Sequence, residues 1–378
     1  MRIAVTGGDG FLGWHVRGAL RARNADEVVS VGRDVLEGPA EDLDAALAGA
    51  DAVLHLAGVN RDEPEALREL NLSLATRVTS SLDRLGSAPS IVYSNSIQSG
   101  NGTPYGDGKA AAAEHLLAWG AGHGTAVADV VLPNIFGEHG RPSYNSFVAT
   151  FADAIARGET PTVLEDRVVP LRHVQDIADD LIAALDGRAS GRIEVASTPL
   201  AVTDVLDRLR WFHELYRTGE VPDVREHIDL CLFNTYRSYC FPQHYPIHPV
   251  VHQDPRGELF ESVRLHGGQA QVFCSSTNPG YTRGEHFHRR KIERFQVIRG
   301  EAVIALRKVL TDETVSYRVT GDKPSIVDMP TLWSHNITNV GDGELVTLFW
   351  TADLLDKENP DTYPDVVGPV DDPGARTA

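Results

Sequence analysis

Gly280-Tyr-Thr-Arg-Gly-Glu-His286-Phe-His288-Arg-Arg-Lys-Ile-Glu293-Arg-Phe-Gln-Val-Ile-Arg-Gly300 is the stretch from which the rest of the chain can be read. In an extended strand alternate side chains share a face, so His286 and His288 project together into one cavity. Glu293 stands where the next strand can return a carboxylate to the same point. A third imidazole, His335, follows in Pro330-Thr-Leu-Trp-Ser-His335-Asn-Ile-Thr-Asn339. Three neutral imidazoles and a carboxylate suit a borderline divalent ion, zinc foremost, with positions left open for substrate.

These two segments resemble the paired motifs of the cupin superfamily. The first motif is Gly, five residues, His-x-His, three or four residues, Glu, six residues, Gly, and Gly280, His286, His288, Glu293 and Gly300 fill it. The second is met at Pro330, His335 and Asn339, with Leu332 where the family has glycine. The resemblance implies a β-barrel whose metal ligands are His286, His288, Glu293 and His335. Around it the pattern is period two, in Leu259 to Val263, Gln271 to Ser275, Phe295 to Ile298, Ala302 to Leu306, Val315 to Val319 and Leu345 to Trp350. Such short strands, separated by Gly, Asp and Pro turns, point to a closed antiparallel barrel.

The chain has 378 residues, 42% of them hydrophobic, which is enough for two domains of ordinary size. A net charge of −18 with no basic run argues against nucleic acid or an anionic membrane as partner. A strand pattern begins at Arg2, so no signal peptide is expected, and no apolar run approaches membrane-spanning length. Cys231, Cys240 and Cys274 are odd in number and outside any paired spacing, which fits ordinary thiols in a reducing cytoplasm.

At the other end, Arg2 to Thr6 alternates into Gly7-Gly-Asp-Gly10-Phe11-Leu12-Gly13, after which Leu12, Val16 and Leu20 recur at helical spacing. Strand, glycine turn and helix together make a dinucleotide fingerprint, because glycine lets backbone approach a pyrophosphate and a helix N-terminus offers it free N–H groups. A second strand, Val28 to Val31, ends at Gly32-Arg33-Asp34, where an arginine accommodates a 2′-phosphate, so Arg33 favours NADPH. A third strand, Ala52 to Ala57, carries Leu56 and Ala57 and closes on Gly58, adding these three to the cofactor wall. Ser90 to Tyr93 then delivers Ser94 and Ser96 to the carboxyl end of the sheet, where open α/β folds bind ligands. Tyr105-Gly-Asp-Gly-Lys109 opens an alanine-rich helix and sets phenol and ammonium on one face, which lowers the phenol's pKa toward neutral. Helices around Ser146 to Ala156 and Val174 to Leu185 are expected to build a substrate cap. A Pro-rich linker is expected near Cys240 to Pro249.

The first 240 or so residues resemble the extended short-chain dehydrogenase/reductase family. That likeness implies Tyr105 as acid/base, Lys109 as its tuner and ribose contact, Ser96 as the hydroxyl polarising a carbonyl with Ser94 as substitute, and Asn134 as a substrate contact. The interval from Arg33 to Asp51 is short, so the strand usual there is shortened or missing. A 4,6-dehydratase would need an Asp-Glu pair beside the active serine, and here Ile97-Gln98 follows it.

Reductase followed by cupin resembles the CapF-type bifunctional enzymes of polysaccharide precursor synthesis, with support from Pro133-Asn-Ile-Phe-Gly, Tyr144-Asn-Ser, Asp254-Pro-Arg-Gly257 and Gly321-Asp-Lys. The expected division is 1–243 for an NADP-binding reductase, 247–364 for a cupin epimerase and 365–378 for a frayed tail. The resemblance implies a homodimer acting on a UDP-linked 2-acetamido-2,6-dideoxy-4-ketohexose, with epimerisation at C3 and reduction at C4. Glu293, Lys308, Tyr281 or a free histidine are the candidates for the C3 base. Two other readings of the cupin stay open: a metal-dependent oxygenase, and a non-catalytic sugar-binding or dimerisation module.

Overall fold

The computed structural model describes residues 1–24, 27–255, 257–354 and 356–369. They divide into two compact units, residues 1–135 with 169–199, and residues 136–168 with 200–378.

The first unit is a parallel sheet with helices on both faces. In chain order it contains β1 (Arg2–Thr6), α1 (Phe11–Ala22), β2 (Glu27–Val31), α2 (Arg33–Glu37), α3 (Ala40–Leu47), β3 (Ala52–His55), α4 (Pro64–Leu85), β4 (Ser90–Ser96), α5 (Pro104–His123) and β5 (Val127–Leu132). Short strands β6 (Asn134–Phe136), β7 (Val168–His173) and β9 (Thr198–Ala201) each span a point where the chain passes from one unit to the other. Between them lie α6 (Phe147–Ala156), α7 (Val174–Asp186) and β8 (Gly191–Glu194). The sheet order is β2-β1-β3-β4-β5-β8. Because the chain goes from β1 to β2 on one side and returns to β3 on the other, the carboxyl ends of β1 and β3 form the switch point where such sheets bind ligands.

Period-two alternation sorts the core. Ala4, Val53, Ile91 and Tyr93 face Leu43, Leu74, Val78, Leu82 and Leu116 of α3, α4 and α5. Ile3, Val5, Leu54, Val92 and Val130 face Val16, Leu20, Ile177, Leu181 and Leu185 of α1 and α7. Helix α7, expected in a substrate cap, is therefore a layer helix of the sheet. Its apolar stripe at Ile177, Leu181 and Leu185 is what buries it there. Helices α2 and α3 occupy the interval between Arg33 and Asp51, with no strand in it.

In the second unit α6 packs on α8 (Val202–Tyr216) and α9 (His227–Cys240). Neither α8 nor α9 was foreseen, although Val202, Val205, Leu206, Leu209, Phe212 and Tyr216 recur at helical spacing and are all buried. The strands are β10 (Val251–Asp254), β11 (Gly257–Phe260), β12 (Gln271–Thr277), β13 (Thr282–Phe287), β14 (Glu293–Arg299), β15 (Glu301–Lys308), β16 (Thr314–Thr320), β17 (Ile326–Met329), β18 (Trp333–Asn339), β19 (Leu345–Thr351) and β20 (Tyr363–Pro364). They form sheets β12-β19-β14-β17 and β16-β15-β18-β13-β20, with β10 and β11 as a separate ribbon. Every pairing among them is antiparallel, consistent with the cupin barrel expected. Asp365 and Val367 are tied to Glu285 by backbone and side-chain hydrogen bonds of 2.9 and 2.7 Å, so the chain is held past the point where fraying was expected. Residues 370–378 of the expected tail lie outside the described residues.

Candidate active sites

The glycine turn explains the first site. Gly7 has φ +68°, and a Cβ on it would meet Ala57 backbone at 2.9 Å. A Cβ on Gly13 would lie 2.1 Å from the Gly7 carbonyl oxygen, so only glycine lets α1 start this close to the loop. No side chain caps α1 at Gly10 and no acid sits in its first turn, which leaves its N–H groups open to an anion. Gly7, Gly10, Arg33, Leu56, Ala57 and Gly58 line one cavity at the switch point. Phe11, Leu12 and Gly13 do not line it: Phe11 packs edge-on against His15 at 5.2 Å, Leu12 packs in the core, and Gly13 supports the turn from behind.

Sequence reading missed Asn71. Buried on α4, it accepts the Val59 N–H at 3.1 Å and donates to the Val59 carbonyl at 2.8 Å, fixing the loop after β3. It falls in the apolar stripe of Leu67, Leu70 and Leu74, where a polar residue was the available signal.

At the carboxyl end of β4 the two candidate serines separate. Ser94 is buried and its hydroxyl donates to the His55 carbonyl at 3.4 Å. Ser96 is partly open, and its hydroxyl accepts the Gln98 N–H at 3.1 Å. The Thr103 hydroxyl caps α5 by accepting the Gly106 N–H at 3.1 Å, and Pro104 starts the helix, which sets Tyr105 in its first turn. Gly106 and Gly108 are needed because a Cβ would lie 2.2 Å from the Gln98 carbonyl oxygen or 2.9 Å from the Arg68 Cα. Lys109 is buried, donates to the Ser94 carbonyl at 2.6 Å and stands 4.3 Å over the Tyr93 ring.

The electrostatics differ from expectation. Burial raises the Tyr105 phenol above its usual value, and the nearby Ser96 hydroxyl only partly offsets this. Burial also lowers Lys109 to about 7, against an opposing pull from Asp129. A lysine so depressed carries much less charge with which to acidify the phenol. Asn134 is exposed, two residues past Leu132, the strand partner of Ser96, and donates to the Pro170 carbonyl at 3.3 Å.

The second site joins the two large β sheets. His286 comes from β13, His288 from just after it, His335 from β18 and Glu293 from the start of β14, and one donor atom of each lies within 4.8 Å of the others. Gly284 makes this possible. It has φ +107°, the ladder shifts register between Gly284 and His286, and a Cβ would lie 2.7 Å from the His335 carbonyl oxygen. Leu332, in the family's glycine position, adopts φ +60° and is buried, so the glycine geometry is kept by a leucine.

Glu293 Oε2 lies 3.0 Å from His288 Nε2, 3.1 Å from His335 Nε2 and 3.9 Å from His286 Nε2. Burial drives His335 down to about 4 despite Glu293. The Nδ1 of His288 donates to the Asp361 carbonyl at 2.5 Å, and that of His335 to the Trp333 carbonyl at 3.1 Å. With their protons on Nδ1, both rings turn Nε2 lone pairs toward a carboxylate, an arrangement that a cation among them satisfies. The donor set therefore fits a divalent metal.

Asp361 was missed entirely. Its carboxylate accepts the N–H groups of Arg289, Arg290 and Lys291 at 3.1, 2.8 and 2.7 Å and so shapes the loop between His288 and Glu293. Of the proposed C3 bases outside the cluster, Tyr281 is 67% exposed and Lys308 lies 3.8 Å from Glu313.

Residues 3–196 match the NAD dependent epimerase/dehydratase family, and residues 252–363 match the polysaccharide biosynthesis C-terminal domain. The UDP-2-acetamido-2,6-beta-L-arabino-hexul-4-ose reductase of Pseudomonas aeruginosa is 33% identical over 97% of this chain and 99% of its own length. The crystal structure of the capsular polysaccharide assembling protein CapF from Staphylococcus aureus superposes with a TM-score of 0.62 at 31% identity, covering 97% of this chain and 100% of that one. The chain is a CapF-type member of the NAD dependent epimerase/dehydratase family. A UDP-N-acetylglucosamine 4-epimerase from Bacillus cereus shares the fold over 57% of this chain and 82% of its own, at 20% identity and a TM-score of 0.51. Membership of this family implies a nicotinamide dinucleotide cofactor. Among the described residues no helix is long and apolar enough to cross a membrane.

Proposed function

We propose that this chain is a bifunctional cytoplasmic enzyme of polysaccharide precursor synthesis. It epimerises C3 of a UDP-linked 2-acetamido-2,6-dideoxy-4-ketohexose and then reduces the C4 ketone with NADPH. The carrying observation is that one chain, similar end to end to a UDP-keto-sugar reductase, holds both a Ser96–Tyr105–Lys109 group and a buried three-histidine, one-glutamate cluster. The reductase activity is assigned to residues 1–243 and the epimerase to 247–364, with zinc as the metal and a homodimer as the working form.

When bound, the nicotinamide supplies hydride and the metal supplies positive charge. The chain's own residues do the rest. The C4 ketone acidifies the C3 hydrogen, so a base in the barrel can remove it and a proton can return on the other face. His286 is the most accessible of the four ligands, its side chain 23% exposed. In the reductase the Ser96 hydroxyl polarises the C4 carbonyl, Tyr105 gives its proton to the emerging alkoxide, and Lys109 holds the ribose. Asn134 contacts the substrate. Reduction removes the acidity at C3 and fixes the new configuration.

Substitution separates the two halves. His288→Ala should stop solvent deuterium entering C3 while leaving NADPH oxidation by a 4-keto sugar. Exchange that persists in the metal-free variant would contradict an epimerase role for the cluster.

A further inference from the structure

The dinucleotide cavity holds a charge that its glycine pattern does not require. Asp9, in the turn Gly7-Gly-Asp9-Gly10, lines the cavity with Gly32, Arg33 and Glu37. Its Oδ2 lies 3.3 Å from where a Cβ on Gly32 would sit, and Asp34 Oδ1 lies 2.7 Å from the same point. Gly32 is the first residue past β2. There Rossmann-type folds read the adenosine 2′ position, a carboxylate bonding a 2′-hydroxyl and an arginine accommodating a 2′-phosphate. Asp9 is fixed: Arg17 Nη1 donates to its Oδ1 at 2.6 Å and Ser30 Oγ to the same oxygen at 3.0 Å. Arg33 is less constrained, its side chain 77% exposed and 3.7 Å from Glu37.

We infer that Asp9 sets the selectivity for the cofactor's 2′ group by opposing Arg33, so that this enzyme binds NADH within about tenfold of NADPH instead of excluding it. This rests on the reading of the cavity as the nicotinamide dinucleotide site. A 2′-phosphate brought beside a fixed carboxylate loses part of what Arg33 contributes, whereas a 2′-hydroxyl can donate to Oδ2. Arg17 keeps the carboxylate in place by pairing with it from the side of α1.

Equilibrium titration of the full chain with NADPH and with NADH, read by calorimetry, tests this without turnover. Wild type should bind the two within about tenfold, and Asp9→Asn should tighten NADPH by about tenfold with NADH unchanged or weaker. Asp9 is 68% exposed, so the near-isosteric change leaves the core alone, and Asp9→Ser provides a second variant with the same expected direction. Wild type excluding NADH by more than about a hundredfold, or Asp9→Asn moving both cofactors equally or not at all, would overturn the inference. Arg33→Ala checks the underlying reading. If it spares NADPH while Asp9→Asn still shifts the ratio, Asp9 does not act by opposing Arg33 and the inference is overturned while the reading of the cavity stands; if neither cofactor binds wild type, both fall.

Discussion

In the proposed reduction Tyr105 serves as an acid, and burial keeps its proton on. Tyr105→Phe should therefore lower NADPH oxidation by about 10²-fold or more while leaving deuterium exchange at C3 intact. Lys109 makes a separate prediction. Its folded pKa, about 7, lies below the ordinary lysine value of about 10.4. Between those pH values the unfolded chain binds the proton that the folded chain has released, so stability rises with pH. Below pH 7 the cost of the buried ammonium is present in full. The cofactor-free wild type should gain stability relative to Lys109→Met between pH 7 and 9 in urea titrations; a constant difference would contradict this. At the candidate metal cluster, Asp361→Ala frees three loop N–H groups and should weaken metal binding by about 10- to 100-fold in a chelator competition, with unchanged affinity as the contrary result.

At the scale of elements, α9 ties down the loop after His288 and the end of β17. Asn234 donates to the Arg290 carbonyl at 2.9 Å, and Arg237 to the Met329 carbonyl at 2.6 Å. Beside it, Arg294 and Asp328 form a fully buried two-bond pair at 2.6 and 3.0 Å, and Tyr216 of α8 donates to the same carboxylate at 2.6 Å. Asp328→Ala would strand a buried guanidinium and should destabilise the chain by about 3–5 kcal/mol in denaturant unfolding. A loss near zero would mean that water or another group reaches Arg294. These residues explain what the sequence did and did not disclose. The glycine turn, Tyr105 with Lys109 and His286 with His288 were legible because each is a short-range pattern tied to one element. Asp361 acts on His288 from 73 positions away, and Asn71 on Val59 from 12, so neither has a local signature. Helices α8 and α9 were legible in spacing, yet they pack on α6 and hydrogen-bond to Arg290, Asp328 and Met329 far along the chain. Leu332 shows the converse, a motif departure that leaves the turn intact because tertiary burial holds a left-handed leucine.

For the molecule as a whole, the two proposed chemistries would have an obligatory order. Epimerisation needs the C4 ketone, and reduction destroys it, so in the proposed scheme the barrel acts before the reductase. The two matched segments, 3–196 and 252–363, carry one activity each in this account. The most direct measurement is proton NMR of the purified chain in D2O with a UDP-linked 4-keto-6-deoxy-HexNAc, before and after NADPH is added. Deuterium should enter C3 before the cofactor, and a C4 alcohol of inverted C3 configuration should follow it. Reduction without prior exchange at C3 would contradict the account and leave a reductase whose second half does something else.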